Sequence, residues 1–453
     1  MFVDTHAHLF YDNFNDDIEN VITRAKENQV DYIIIPSTDL NSAEKTLKLC
    51  DKFEMLYAAV GVHPHDTKDW NETIISKIEK LVKHPKVIAI GEVGLDYYYD
   101  FSPKENQIKA FKSQLELAVD LKLPVIIHNR DSDEDMLEII SSFCSTGLKA
   151  QFHCFNASLD DAIEYIKMNH FISFTGNITY KKSQDLIKIL EAIDVNHLLL
   201  ETDSPFMTPT PFRGKRNEPS YINYIAKKIA EIKKLTLEEL AKITSLNAFR
   251  MFGIGKKPQT SFTYQIGNSL YVNVTNRCNA DCIFCHRKND PYINGHFLGM
   301  RKADEPNAEV YIKEIGNPKN YDEIVFCGYG EPTIRWDVVK QVAQFVKLNG
   351  GKTRLNTNGH GNTINKKDIT PELKGLIDVV SISLNSIDPV QYSKLMKVDL
   401  HYFYEMINFA KSSKAYVDKV VLTVVDLDDI DIQKAKDLIE NEIKAEFRIR
   451  HYF

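Results

Sequence analysis

No stretch of about 18 consecutive apolar residues occurs, which excludes an ordinary membrane-spanning helix. The first residues lack the basic-then-apolar layout of a secretory leader, so the expected address is the cytoplasm. Nor is there a charge excess suited to duplex DNA. Residues 1–256 carry 30 Lys and Arg against 38 Asp and Glu, a net −8, and residues 257–453 carry 26 against 25, a net +1, consistent with −7 overall. Any nucleic acid must then be held locally, through a metal or a small basic cluster. Cysteine is sparse outside one place. Of seven, Cys278, Cys282 and Cys285 fall within eight residues. In a reducing compartment that clustering points to metal or cluster binding rather than a disulfide frame. Cys50, Cys144 and Cys154 sit among apolar neighbours and read as small core hydrophobes. Internal repeats and low-complexity tracts are also missing.

What is present is an ordinary globular composition, 43% hydrophobic and 26% charged over 453 residues. That length is three times the ~150-residue domain norm, so two or more domains are expected. The first half alternates apolar strand-like runs with amphipathic stretches such as 104–122 and 220–233. Strands read near 2–5, 32–36, 56–62, 87–92, 124–128, 150–154, 171–175 and 198–203. Eight such alternations match the size and rhythm of a (β/α)8 TIM barrel. An open doubly wound sheet is the rival, but no Gly-rich phosphate turn supports it. Residues 253–262 (GIGKKPQTSF) form an expected linker between a domain at 1–252 and another at 263–453. In the latter, strands near 269–275, 323–328, 352–357, 378–384, 419–425 and 445–450 predict an α/β partial (β/α)6 barrel.

Ligand-type residues fall at the strand ends of the first half. FVDTHAHL at 2–9 ends in Asp4, His6 and His8, and side chains two apart on a strand point the same way. Glu92, His128, His153 and Asp203 close the fourth, fifth, sixth and eighth strands. In a barrel these ends converge on one mouth, where active sites of this architecture sit. Imidazoles and carboxylates together suit Zn²⁺, Mn²⁺ or Mg²⁺, singly or as a pair.

The segments FVDTHAHL, GVHPHD (61–66), IGEVGLDY (90–97), PVIIHNRD (124–131), FHCFNAS (152–158), FISFTGNITY (171–180) and LLLETDSPF…PFRGKRNEP (198–219) resemble the TatD-family metal-dependent deoxyribonucleases in order, across residues 1–252. The resemblance implies His6, His8, Glu92, His128, His153 and Asp203 as ligands of one or, as expected, two divalent ions. It places His63 and His65 beside a substrate phosphate, and implies 3′-to-5′ exonuclease action on DNA or an oligonucleotide. Asp203 is positioned to orient or deprotonate a water. Glu201 lies on the same strand face as a helper. Arg213, with Lys215 and Arg216, forms the one compact basic cluster near this site, and Arg213 suits a phosphate fork.

In YVNVTNRCNADCIFCHR the spacing is C-x3-C-x2-C, with Phe284 before the last cysteine. Three thiolates on one loop can hold three irons of a [4Fe–4S] cluster. Zn²⁺ on Cys278, Cys282, Cys285 and His286 is the alternative. The pattern resembles the radical S-adenosylmethionine (SAM) superfamily over about 263–453. That resemblance makes GYGEP (Gly328, Tyr329, Gly330, Glu331, Pro332) the SAM-binding motif, with its glycines allowing close backbone approach. It offers Asn358, Ser383 and Asn385 as further contacts. It implies reductive SAM cleavage and hydrogen abstraction, a flavodoxin- or ferredoxin-type reductant, and a setting poor in oxygen. Cys327, beside GYGEP, reads as a core residue.

The combined expectation is a bifunctional fusion of a metal-dependent phosphodiesterase and a radical SAM enzyme of unknown substrate, with no membrane partner. Two other functions compete: a barrel hydrolysing small amides, esters or lactones, and a cluster half acting only as a SAM or redox regulator. Glu92 stands where many such amide hydrolases place a modified lysine, which weighs against the first.

Overall fold

In a computed structural model the chain divides into two compact units that meet at Lys257 and Pro258. The structure describes residues 1–285, 287, 290–426 and 430–450; His286, named above as a zinc ligand, lies outside the described residues.

The first unit is built on eight parallel strands in sequential order. These are β1 (Phe2–Asp4), β2 (Val30–Pro36), β3 (Leu56–Val60), β4 (Val87–Asp96), β5 (Val125–Arg130), β6 (Ala150–Phe152), β7 (Phe171–Phe174) and β8 (Leu198–Leu200). The seam between β8 and β1 is closed by backbone just beyond both strands. Thr5 donates to Leu200 (3.0 Å), Asp203 to His6 (2.8 Å) and His8 to Ser204 (2.7 Å). The result is the expected TIM-type barrel, in which three of the residues closing it, His6, His8 and Asp203, are also candidate ligands.

Strand alternation sorts side chains into inward and outward sets. Ile33, Ile35, Val125 and Ile127 face the surrounding helices. Val3, Ile34, Ala59, Ala89, Ile126, Phe171 and Leu199 form an inner apolar layer, capped by Met251 and Phe252 of the helix Leu237–Phe252. The next inward layer is polar. Gln151 donates to Thr5 Oγ1, Ser173 Oγ and Glu201 Oε2, each at 2.8 Å. The candidate ligands form the layer above, so the barrel passes from apolar floor to hydrogen-bonded middle to charged mouth.

Outside the barrel wall, His170 is buried beside Phe152. Its Nδ1 accepts from the Ala150 amide (3.3 Å), and its Nε2 has no partner. Burial, reinforced by His197, holds its pKa down to about 4. The folded state resists protonation that the unfolded chain accepts near pH 6.5, so stability falls as pH drops below 6.5 and levels off below about 4. Between pH 7 and 5 this one group should cost about 2 kcal/mol. In His170→Asn the loss on acidification, read by urea denaturation, should shrink by that amount. An unchanged pH dependence would contradict the assignment.

The second unit has a seven-stranded sheet in the order β17-β16-β15-β14-β13-β10-β9. Its members are β9 (Thr263–Ile266), β10 (Ser269–Asn273), β13 (Ile324–Cys327), β14 (Thr353–Thr357), β15 (Val379–Ser383), β16 (Lys419–Val425) and β17 (Glu446–Arg450). A separate hairpin pairs β11 (Tyr292–Ile293) with β12 (His296–Phe297). Strands β10 and β13–β17 are the six parallel strands expected. The sequence reading missed β9, which joins antiparallel to β10 through a Gly267-Asn268 turn, with Gly267 at φ +57°. Gly-Asn between short apolar runs is itself a hairpin signal. Within 253–262, Gly253 caps the preceding helix, donating to Phe249 O (2.8 Å) at φ +71°. Phe262 already packs against the second apolar core, and Ser261 donates to Phe297 O (2.8 Å).

Among the described residues, no helix is long and apolar enough to cross a membrane.

Candidate active sites

Five histidines and two carboxylates converge at the mouth of the first barrel. His6 Nε2 and His8 Nε2 lie 3.1 Å apart. Glu92 Oε2 sits 3.3 and 3.4 Å from those nitrogens, and Asp203 Oδ1 sits 3.8 and 3.5 Å away. The other oxygen of Glu92, Oε1, faces His153 Nε2 (2.8 Å), His128 Nδ1 (3.0 Å) and His63 Nε2 (3.4 Å). One carboxylate is therefore shared between two groups of donors.

Glu92 reaches this position by a route the sequence reading did not foresee. It is not at a strand end, because β4 continues to Asp96. Ile90 pairs with Val125, but Val93 pairs with Ile127, so β4 carries one extra residue there. Such a bulge re-aims a side chain. Likewise His6, His8, His153 and Asp203 lie just past their strands rather than within them. Gly94, at φ +145°, keeps the strands close beyond the bulge, since a Cβ there would lie 1.9 Å from His128 O.

Hydrogen-bond partners fix which ring nitrogens carry protons. His8 Nδ1 donates to Pro36 O (3.1 Å), which leaves the Nε2 lone pair aimed at the cluster. His128 Nε2 donates to Asp96 Oδ2 (3.1 Å), which leaves Nδ1 facing Glu92 and His153 Nε2 (3.2 Å). His63 is the reverse. Its Nδ1 accepts from the His65 amide (3.2 Å), so Nε2 keeps its proton and acts as a donor. Lone pairs facing carboxylate oxygens at these distances repel unless a cation lies between them. The Nδ1 atoms of His6 and His153 are buried without partners. This donor set fits divalent ions.

The charges are strongly coupled. Burial opposes ionisation of Glu92, yet His153, His63 and His6 hold its carboxyl well below the usual range. Burial lifts Asp203 well above it; His153 opposes this, while the charges of Glu92 and Glu201 add to it. Against burial, Glu92 raises His153 to about 9. Burial lowers His6 and His8, and takes His63 down to about 4.

Glu201 is fully buried and held by its neighbours. It accepts from Cys154 N (2.6 Å), Ser173 Oγ (2.8 Å) and Gln151 Nε2 (2.8 Å), with Oε1 3.8 Å from His153 Nδ1. His65 Nε2 contacts Asp96 Oδ2 (2.8 Å). Asp4 joins β1 to the β8 exit, accepting from Thr202 N (2.9 Å), Thr202 Oγ1 (2.6 Å) and His6 N (3.3 Å). Burial raises its carboxyl to about 7. Sequence reasoning did not assign roles to Asp96 or Gln151; the sole signal was an acidic residue two past the Gly94 of a quoted motif.

The basic cluster separates. Arg216 is tied to Asp17 by two bonds (2.7 and 2.8 Å), beside the Arg24–Glu218 pair (2.6 and 2.8 Å). Arg213 is exposed and stacks 4.0 Å above the Tyr180 ring. Two of the cysteines read as core residues are not. Cys144 is exposed, and Cys154, next to His153, is only partly buried and contacts Thr175 Oγ1 (3.4 Å).

In the second unit, Cys278, Cys282 and Cys285 follow β10 on a loop held by its surroundings. Cys282 Sγ lies 3.4 Å from Met396 Sδ, and Asn358 Nδ2 lies 3.8 Å from Cys278 Sγ. Asn358 also donates to Asn279 Oδ1 (2.8 Å), and Asn279 Nδ2 meets His360 Nδ1 (2.9 Å). Buried His360 in turn reaches Tyr392 OH (2.8 Å). His360 and Asn279 were not read from sequence, since Asn279 is one of the unspecified positions of C-x3-C and His360 lies outside the quoted motifs. Burial raises the Cys278 thiol, and raises Cys282 to about 12 with help from the adjacent thiols. Three thiols crowd one loop, a set that cationic iron would stabilise as thiolates.

The glycines of GYGEP serve the chain's own packing. A Cβ on Gly330 would lie 2.3 Å from Arg277 O and 2.4 Å from Thr275 O. Gly330 N donates to Thr275 O (2.9 Å), and Glu331 N to Arg277 O (2.8 Å), so the motif is zipped to the cysteine loop. Gly328 holds φ +120°. Tyr329 OH donates to Tyr292 O (3.0 Å). The Glu331 carboxylate is buried and accepts from Thr333 N (3.1 Å), Thr333 Oγ1 (2.7 Å), Thr357 Oγ1 (2.8 Å) and Asn358 N (2.8 Å). Ser383 ends β15, and Asn385, at φ +60°, keeps a buried Oδ1 without a partner. Cys327 does not pack into the apolar core. It alternates with Phe326 and accepts from Asn356 Nδ2 (3.7 Å), on the face away from the helices.

Comparison with known proteins agrees with both geometries. Residues 3–253 match the family model described as TatD related DNase, and residues 272–440 match the radical SAM superfamily. The chain belongs to the TatD-related DNase family and carries a radical SAM domain after it. The uncharacterized metal-dependent hydrolase YabD of Bacillus subtilis is 44% identical over 254 residues, 56% of this chain and 100% of that protein. The 3′-5′ ssDNA/RNA exonuclease TatD of Klebsiella pneumoniae is 31% identical over 256 residues, 55% of this chain and 97% of its own. The crystal structure of the TatD homologue YJJV from Escherichia coli is 28% identical at a TM-score of 0.54, covering 56% of this chain and 98% of that one. Both parts are thus of enzymatic families, one using metal ions and the other a [4Fe–4S] cluster with SAM.

Proposed function

We propose that the first unit hydrolyses phosphodiester bonds at the 3′ end of single-stranded nucleic acid. The observation that carries this reading is the division of Glu92 between two donor groups. His6, His8, Glu92 and Asp203 would hold one divalent ion, and Glu92, His128 and His153 a second, with Mg²⁺, Mn²⁺ and Zn²⁺ all compatible with mixed imidazole and carboxylate donors. Bound ions of this kind polarise a phosphoryl oxygen and supply a nucleophilic water near neutral pH. His63 Nε2–H would donate to a substrate phosphate oxygen, with His65 beside it. The Asp203 carboxylate would orient the attacking water and take its proton. Glu201 would act as a positioning residue through His153, and Arg213 would grip phosphate from the rim. The name of the Klebsiella relative supports the choice of substrate.

For the second unit we place a [4Fe–4S] cluster on Cys278, Cys282 and Cys285. Gly328, Tyr329, Gly330 and Glu331 would hold SAM, with Asn358, Ser383 and Asn385 as further contacts. When bound, the two groups would supply one-electron cleavage of SAM and hydrogen abstraction from a substrate, the electron coming from a flavodoxin- or ferredoxin-type reductant. Seven free cysteines suit a reducing cytoplasm.

An end-labelled single-stranded oligonucleotide should shorten from its 3′ end with Mg²⁺ or Mn²⁺, and EDTA should stop it. Turnover of a lactone or amide with no oligonucleotide cleavage would overturn the reading.

A further inference from the structure

The loop leaving β4 exposes three aromatic rings in succession beside the metal-ligand cluster. Tyr98 is 56% exposed, Tyr99 40% and Phe101 58%. Rings this exposed are costly to hydrate, and here they are held in place. Asp96 Oδ1 accepts the amides of Tyr98 (3.0 Å) and Tyr99 (3.1 Å). Gln107 clamps the loop, accepting from Asp96 N (2.8 Å) and donating to Asp96 O and Ser102 O, both at 3.0 Å. Tyr99 and Phe101 stack at 5.2 Å and 28°. The Arg130 guanidinium carbon lies 3.9 Å from the Tyr98 ring centroid and 4.9 Å from that of Tyr99.

The same Asp96 connects this bank to the cluster. Its Oδ2 holds both His128 Nε2 (3.1 Å) and His65 Nε2 (2.8 Å), and the His65 ring lies 4.8 Å from Phe101 and 5.4 Å from Tyr99. One carboxylate thus orients a candidate metal ligand and the rings next to it.

We propose that Tyr98, Tyr99 and Phe101, with Arg130 beside them, form a stacking platform for an unpaired base adjoining the scissile phosphate. The proposal rests on the phosphodiesterase reading above. Charge argues for it. With a net −8 over residues 1–256, affinity for a polyanion cannot come from a broad basic surface. Stacking is independent of that charge and tolerates any sequence, because every base has a π-face. It also selects single strands, since paired bases are already stacked. Arg130 adds a local cation at the same place.

The test uses the full chain and a single-stranded oligonucleotide, compared with the same strand made abasic at its two 3′-terminal positions. Loss of a stacked base, worth about 1–3 kcal/mol, should raise KM between about fivefold and about a hundredfold, with kcat within about twofold. Tyr99→Ala and Phe101→Ala should raise KM for the intact strand similarly and leave KM for the abasic strand unchanged. Tyr99→Trp should keep the intact-strand value. Should the alanine variants not fold, the wild-type comparison of intact and abasic strands decides the matter alone. Equal KM values for the two strands would overturn the platform while leaving the hydrolase reading in place. No cleavage of any oligonucleotide by the wild type would overturn both.

Discussion

Replacing Glu92 by alanine should empty the first unit of divalent metal and lower oligonucleotide hydrolysis by about a thousandfold or more, leaving iron loading of the second unit unchanged. The size follows from geometry. Every ring at the mouth except His65 has a nitrogen within 3.4 Å of one Glu92 oxygen or the other. Removing it withdraws the carboxylate shared by both donor groups and leaves imidazoles facing one another. Lewis-acid stabilisation worth several kcal/mol is lost, and each ~1.4 kcal/mol is a tenfold rate factor. Glu92→Gln separates charge from shape, because it keeps the volume and the bulged backbone. Its loss should match that of alanine. Metal analysis after exhaustive dialysis, run beside the rate, checks the claim. A variant that keeps both metal and rate would show that the shared carboxylate is not the organising ligand.

Most of this site was legible because its signal is local. An apolar run ending in a ligand-type residue marks a barrel strand, and five such runs could be read one at a time. What escaped depends on register between strands. Nothing within IGEVGLDY says that β4 runs four residues past Glu92, because the extra residue is defined only against β5. Asp96 looks like any acidic loop residue until His128 and His65 are seen to share it. Arg216 resembles Arg213 in sequence, yet Asp17, 199 positions away, takes it out of the basic cluster. Cys327 was misjudged for a related reason. Burial along a strand is easy to infer, but which face of a half-barrel is polar depends on neighbours such as Asn356. Local pattern predicts the elements; partner choice across the sheet determines what each polar group does.

Gly330→Ala should empty the cysteine loop of iron although no ligand is touched. A methyl group there would lie within 2.4 Å of two backbone oxygens, those of Thr275 and Arg277, which begin the loop bearing Cys278. Backbone cannot rotate away as a side chain can. Either the two hydrogen bonds from Gly330 and Glu331 break, or the loop is displaced. Displacement would also pull Cys278 from Asn358, and with it the chain through Asn279 and His360 to Tyr392. Cys282→Ala is the comparison, since it deletes a ligand while leaving backbone packing alone. After anaerobic reconstitution, the wild type should hold about four irons per chain, as a [4Fe–4S] cluster requires, and both variants should hold fewer than about one. Oligonucleotide hydrolysis by the first unit should stay within about twofold in each. Full iron in Gly330→Ala would mean that the glycine serves a bound ligand rather than the cysteine loop. Full iron in Cys282→Ala would mean that the three thiols are not the cluster's ligands. Because the two changes reach the same loop by different routes, loss in both locates the requirement in the loop's placement as well as its sulfurs.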